Sequence, residues 1–382
     1  MTDARLRRQR LVCCAYFALA GITMALWGAR LPAVQARLHL DTASLSAGLF
    51  SAAAGMAVGL TAGGRLGDRV GAQRLQRPAA LALAVALADL GIADSTAWFL
   101  AACAVFGCFH GVLDVSMNTV ATRCQAAYGR PILQSIHGTY SVGALAGSLT
   151  AALSADLPVG AVFCTAALAL ALATATLPAL SAPTNPPPGP RPVRSGRPPA
   201  ALLALGAVAG CSLLGEGAAA DWSAIQMHTL AHAAPTTAAL AYSTYSAAMA
   251  ASRLAGDRIT GRLGVVRLVR YGAGAAFAGL ATVLLVPAPA VGLIGWAAFG
   301  AGLSAVVPAA VSAAACLRPG RAGSDIALVT ATGYLGMVLG PAAIGALATT
   351  ATLSAALALP AAGALAITAA SRVLRPHQEH TV

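Results

Sequence analysis

From residue 11 to residue 370 the sequence is built of apolar runs, separated by short segments that hold nearly all of its charge. A helix needs roughly 20 residues to cross a hydrocarbon core about 30 Å thick, so run length constrains this chain more than any single motif. The runs lie near 11–29, 44–63, 78–93, 98–119, 135–155 and 158–180, then near 200–219, 236–252, 268–287, 289–314, 326–348 and 351–370. They predict an all-α integral membrane protein with twelve transmembrane helices. Charge points the same way, because Asp, Glu, Lys and Arg make up 9% of the chain, against about 25% in a soluble domain. A water-soluble fold of 382 residues could not cover its surface with so few. The alternation of a transmembrane β-barrel is absent, and abundant alanine and glycine suit helices packed closely in lipid.

All 24 basic residues are arginine, and the net charge is +12. They come in small groups between the runs, not as one patch interleaved with aromatics, so no nucleic-acid partner is expected. With the N-terminus placed inside, 22 arginines fall on the cytoplasmic side and only Arg30 and Arg37 outside. That asymmetry predicts a multi-pass membrane protein with two cytoplasmic termini. The opening "MTDARLRRQR" followed by "LVCCAYFALAGITMALWGA" imitates a signal peptide, but the apolar run is long enough to span and is read as a retained first helix. The eight cysteines form no C-x-x-C pair and read as small buried hydrophobes.

Residues 181–199, "SAPTNPPPGPRPVRSGRPP", hold eight of the 21 prolines and no apolar run. They predict an extended cytoplasmic linker between an N-terminal six-helix bundle (1–180) and a C-terminal one (200–382), which ends in a short polar tail bearing His377 and His380. A shift of about 189 positions lays the first half on the second: Gly67, Asp68 and Arg69 fall on Gly256, Asp257 and Arg258, Gly21 on Gly210, and Gly28 on Gly217. Duplicated halves imply two pseudo-symmetric bundles with a site near the membrane midplane.

The repeated charged segments carry a further likeness. "GRLGDRVGAQR" (64–74) resembles the signature loop between helices 2 and 3 of the major facilitator superfamily, and "SRLAGDRITGRLG" (252–264) resembles its counterpart between helices 8 and 9. The segments 111–148, 215–227 and 333–345 ("GYLGMVLGPAAIG") are similar to a YbjJ-type branch of bacterial inner-membrane facilitators. The resemblance implies a gating motif made of Gly64, Arg65, Gly67, Asp68, Arg69 and Gly71, with Arg253, Gly256, Asp257 and Arg258 as the second copy. Glycines allow a tight turn, and a carboxylate there can meet the positive end of a neighbouring helix. By resemblance, Asp68 latches the start of the eleventh span after "GRAGSD", and Asp257 the start of the fifth.

Ionisable residues inside a span are expensive and are functional candidates. His110, Asp114 and Asn118 recur at four-residue intervals in the fourth span and share one face. His137, near the start of the fifth span, is expected at the depth of Asp114, so that His137, His110 and Asp114 form one proton-linked or substrate-orienting cluster; the alternative is a polar network bracing two helices. Glu216, in the outer half of the seventh span, and Trp27, at the matching place in the first, are expected to bind a cationic or hydroxylated solute; alternatively Glu216 is the protonation site, or caps a break in its helix near "GEG". Asp89 reads as structural, and Asp221 as an outer-loop residue. His228 and His232 lack further ligands for a metal, and no cofactor is expected.

The resulting expectation is a secondary active transporter, most simply a monomer, that moves a small solute by alternating access with proton coupling. A chain without lysine has no Walker A motif, and no nucleophile–base set suggests an enzyme. The alternatives are a proton-driven efflux pump for hydrophobic compounds and a transport-dead sensor. Drug exporters of this family often carry a helix-4 arginine and a proline-bearing glycine motif in helix 5; here the fourth span has His110 and Asp114, and the fifth reads "GALAGS".

Overall fold

A computed structural model describes residues 3–178 and 200–375 of the chain; the linker 181–199, His377 and His380 lie outside the described residues. The helices are α1 (Asp3–Leu38), α2 (Thr42–Val70), α3 (Ala72–Ile92), α4 (Thr96–Tyr128), α5 (Leu133–Leu153) and α6 (Val159–Thr176), then α7 (Ala200–Thr229), α8 (Pro235–Leu263), α9 (Val265–Leu285), α10 (Pro289–Leu303), α11 (Val306–Leu317), α12 (Ala322–Thr350) and α13 (Leu353–Ala370). Taken together, α10 and α11 are the tenth span, so twelve spans are present in the expected order. Ten are long and apolar enough to cross a membrane on composition alone. The other two, α5 and α8, carry polar stretches, "QSIHGTYS" and "AYSTYS", which lower their hydropathy.

Several helices outrun the apolar runs that announce them. α7 continues to Thr229 and takes in Asp221, which the sequence assigned to an outer loop, and Glu216 lies near the centre of α7, not in an outer half. The signature segments are also less loop-like than expected. α2 runs on to Val70 and α3 begins at Ala72, leaving Gly71 alone, at φ 95°, to reverse the chain. Apolar runs mark the length of helix immersed in lipid, whereas backbone hydrogen bonding carries the helix past it.

Two compact units divide the chain. The first consists of the described residues of Met1–Gly129, Thr139–Pro192 and Arg318–Ala327; the second of Arg130–Gly138 and the described residues of Val193–Leu317 and Leu328–Val382. The start of α5 thus belongs with the second unit, and the start of α12 with the first.

In the first unit, α2 and α4 meet backbone to backbone. A Cβ placed on Gly107 would lie 1.9 Å from the Ala52 carbonyl oxygen, and one on Gly59 1.9 Å from that of Cys108. Only glycine permits such an approach in lipid, where close packing replaces the hydrophobic drive between helices. The internal repeat is visible in packing too. Gly21 of α1 approaches the Tyr140 carbonyl of α5 at 2.2 Å in the first unit, and Gly210 of α7 approaches the Thr332 carbonyl of α12 at 3.4 Å in the second, each measured from a built Cβ.

The two arginines that break the charge asymmetry have structural work. Arg30 donates to the carbonyls of Ala155 (2.9 Å) and Leu157 (2.6 Å) just beyond α5. Arg37 donates to Leu90, Gly91 and Ala93, the orphan carbonyls at the C-terminal end of α3. Cations there satisfy those acceptors and match the negative end of the helix dipole. At the start of α2, Asp41 accepts from Ser44 N at 2.8 Å, and its bonds to Ser44 hold its carboxyl below the ordinary aspartate range.

Candidate functional site

The polar stripe of α4 lies in the first unit. His110, Asp114 and Asn118 are 2%, 7% and 2% exposed, which is deep burial for ionisable groups. His110 sits between Gly107 and Gly111, whose contacts with α2 carry it inward. Asn118 Nδ2 donates to the Asp114 carbonyl at 2.9 Å and to its Oδ1 at 3.3 Å. Asp114 Oδ2 and both ring nitrogens of His110 have no hydrogen-bond partner among the described residues. One turn before His110, Phe106 continues the stripe and packs against Trp27, with ring centroids 5.0 Å apart. The Trp27 indole N–H is buried and unpartnered.

In the second unit a buried carboxylate is paired with a cation. Arg253 of α8 meets Glu216 of α7, with Nη2 3.3 Å from Oε1 and side chains 10% and 18% exposed. The Nε of Arg253 donates to the Ser304 carbonyl at 3.3 Å. That carbonyl is available because Pro308, four residues on, has no N–H to donate to it. The same proline accounts for the interruption between α10 and α11. Gln134 Nε2 donates to the next carbonyl, Ala305, at 3.2 Å. Tyr245 stacks between Tyr242 and Phe299, at centroid distances of 6.0 and 6.1 Å.

His137 is where sequence and structure part. The sequence places it with Asp114, whereas the first turns of α5 belong to the second unit. Depth along a helix does not report which unit the start of α5 belongs to. Arg253 was missed in the same way: it was assigned to the gating motif, yet its side chain pairs with Glu216. Its position inside α8, a full turn before Asp257, was the available signal.

The two hairpin aspartates occupy corresponding places. In the first unit Asp68, in the last turn of α2, accepts from Gly323 N at 2.8 Å and from Ser324 N at 3.0 Å and also from the Ser324 hydroxyl. A carboxylate there opposes its own helix dipole, and the positive N-terminal end of α12 offsets that cost. Arg318, just before α12, holds Asp325 through its guanidinium, and those bonds keep Arg318 above its ordinary value. In the second unit Asp257 accepts from Ser135 N at the start of α5, at 3.2 Å. The turns differ: Gly71 follows Asp68 by three residues, whereas Gly264, at φ 78°, follows Asp257 by seven. Gly64 approaches the Gly323 carbonyl, and Gly256 the Gln134 side chain, each at 2.8 Å from a built Cβ.

No protein-family model matches the chain. It is 34% identical over 348 residues to an uncharacterised transporter of Sinorhizobium fredii, across 89% of this chain and 91% of that one. It is 31% identical over 362 residues to an uncharacterised MFS-type transporter of Yersinia pestis, across 94% of each. Among solved structures, the transporter FucP in its outward conformation superposes with a TM-score of 0.79 at 14% identity, covering 96% of this chain and 98% of that one. The human organic anion transporter MFSD10 gives 0.72 at 16% identity, covering 98% and 100%.

Proposed function

The chain belongs to the major facilitator superfamily of membrane transporters, and we propose that it moves a small polar solute across the bacterial cytoplasmic membrane by alternating access, coupled to protons. The observation that carries this reading is the pair of hairpin carboxylates. Asp68 and Asp257, equivalent in the repeat, each accept from backbone N–H at a helix start in the other half of the sequence, two groups for Asp68 and Ser135 N for Asp257. Charge-assisted bonds of this kind are strong enough to bias a conformation and reversible enough to release it. Gly64, Arg65, Gly67, Arg69 and Gly71, with Gly256 and Arg258, form the hairpins around them.

Asp114, with His110 and Asn118, is the proton-linked group in this reading, because a buried carboxylate with one unpartnered oxygen can take a proton without first breaking an ion pair. The Glu216–Arg253 pair, with His137, is the solute-responsive group. Glu216 is already engaged by a cation, which favours a hydroxylated or zwitterionic solute over a cationic one. In the first unit, Trp27 offers a solute an N–H that has no partner among the described residues. A solved relative of this fold is the E. coli fucose:proton symporter, which makes proton coupling the first property to test.

Protein reconstituted into liposomes, with an imposed proton gradient, should move one of a panel of sugars, amino acids and organic acids at a rate set by the gradient. Flux indifferent to the gradient would remove the coupling, and preferential export of lipophilic cations would replace a polar solute with a hydrophobic one. Binding without any flux would leave a sensor.

A further inference from the structure

At one end of the second unit, where α9 begins and the chain leaves α13, the surface opens into a cavity of about 440 Å³. Four arginines line it: Arg267 and Arg270 from the first two turns of α9, and Arg372 and Arg375 from the turn after α13. Among the described residues, no acidic side chain lines the cavity and none of the four arginines is in an ion pair. Arg270 is held in place by its Nε, which donates to the buried Ser371 hydroxyl at 3.0 Å. Its two terminal nitrogens remain for another acceptor.

The backbone adds to this field. α9 is a 21-residue helix whose N-cap, Gly264, offers no side-chain cap. The first helical donor to find an acceptor is Leu268 N, bonded to the Gly264 carbonyl at 3.1 Å. The N–H groups of Val265, Val266 and Arg267 have no intrahelical acceptor, and all three residues line the cavity. An uncapped helix start attracts anions, and here it is ringed by guanidinium groups suited to bidentate bonds with phosphate oxygens. The arginine asymmetry of a membrane protein asks only for positive charge somewhere on this side. It does not ask four arginines from two segments to converge on one hollow beside an uncapped helix.

The setting identifies the anion. The cavity lies where two membrane-spanning helices reach their ends, and so at the depth of lipid headgroups. Leu263, 43% exposed, forms part of its wall and offers an apolar surface to an acyl chain. Basic pockets at the ends of membrane helices suit anionic headgroups, with each Lys or Arg near the surface contributing about 1 kcal/mol. We propose that this cavity binds the phosphate ester of an anionic phospholipid at the membrane surface.

The test uses the full-length protein in neutral detergent, titrated with phosphatidylglycerol or phosphatidylcholine and read by native mass spectrometry. Phosphatidylglycerol should be retained in preference, and Arg372→Gln/Arg375→Gln should lower that retention on the order of tenfold. Arg5→Gln/Arg8→Gln removes the same charge elsewhere and should leave retention unchanged; melting temperatures in detergent alone establish that both variants are folded. Arg372→Lys/Arg375→Lys should recover part of the binding, since charge is kept and the bidentate fork lost. Inorganic phosphate that displaces the lipid at millimolar concentration would identify a soluble phosphate as the occupant of the same site. Equal loss in both glutamine variants, or loss in neither, would overturn the proposal.

Discussion

Asp114 and Glu216 are both carboxylates near the middle of membrane-spanning helices, and their surroundings satisfy them in opposite ways. Glu216 faces a guanidinium from another helix at 3.3 Å, and that guanidinium also holds a carbonyl left free by Pro308. Asp114 has one donor, Asn118, from the next turn of its own helix, and an oxygen with no partner. The first arrangement ties α7 to α8 and to the α10–α11 interruption through charge. The second joins two residues of one helix, α4. Burial alone therefore does not define what an intramembrane carboxylate does; the identity of its partner does.

Glu216→Gln carries the largest cost. It removes the carboxylate from a buried guanidinium, and an uncompensated buried charge is far more damaging than a missing pair. Because both side chains keep some exposure, a loss of about 2 kcal/mol is expected, together with loss of flux. Arg253→Gln should cost a similar amount, and the double variant should recover most of it while remaining inactive in transport. Thermal unfolding of the four proteins measures the coupling. Simple additivity would mean that the pair is a passive neighbour contact and would dissolve the contrast with Asp114.

Asp68 tests whether partner or burial decides, because its carboxylate accepts from backbone N–H groups and a hydroxyl at a helix start. Asp68→Asn keeps one acceptor oxygen but gives up the charge that three donors share, which should cost about 1–2 kcal/mol. Asp257→Asn is expected to cost less, since the Ser135 N–H contact is longer, 3.2 Å against 2.8 Å for Gly323 N. Unfolding temperatures of the two variants decide the order. Each should also speed labelling of a cysteine placed beside the helix start it holds, at position 324 or 135.

How much of this was legible follows from what each signal reports. Apolar runs report lipid immersion, so the count and order of spans could be read directly. They say nothing of where helices stop, and Asp221 was therefore misplaced. The likeness of the hairpins to a known motif named the start of the eleventh span as the target of Asp68, and Gly323 and Ser324 are the residues that donate to it. Four-residue spacing put His110, Asp114 and Asn118 on one face because that relation lies within a single helix. The Arg253–Glu216 pair and the neighbours of His137 were out of reach, because they depend on packing between helices distant in sequence. Pro308 was visible, but its effect on the Ser304 carbonyl requires knowing that Arg253 stands opposite.

Asp114→Asn is the last and smallest change in stability, and the most telling. The substitution is nearly isosteric, and the amide can still accept from Asn118. It breaks no ion pair, and it removes a charge that the surrounding helices do little to stabilise. A cost of about 1 kcal/mol or less is expected, since no ion pair breaks and the acceptor for Asn118 is kept. Its effect should instead appear in coupling: solute exchange at equal pH on both sides should persist, while the response of net flux to a proton gradient should vanish. Glu216→Gln loses both. If Asp114→Asn kept its gradient response and Glu216→Gln alone lost it, the proton would travel with the charge-paired carboxylate, and the roles assigned to the two units would have to be exchanged.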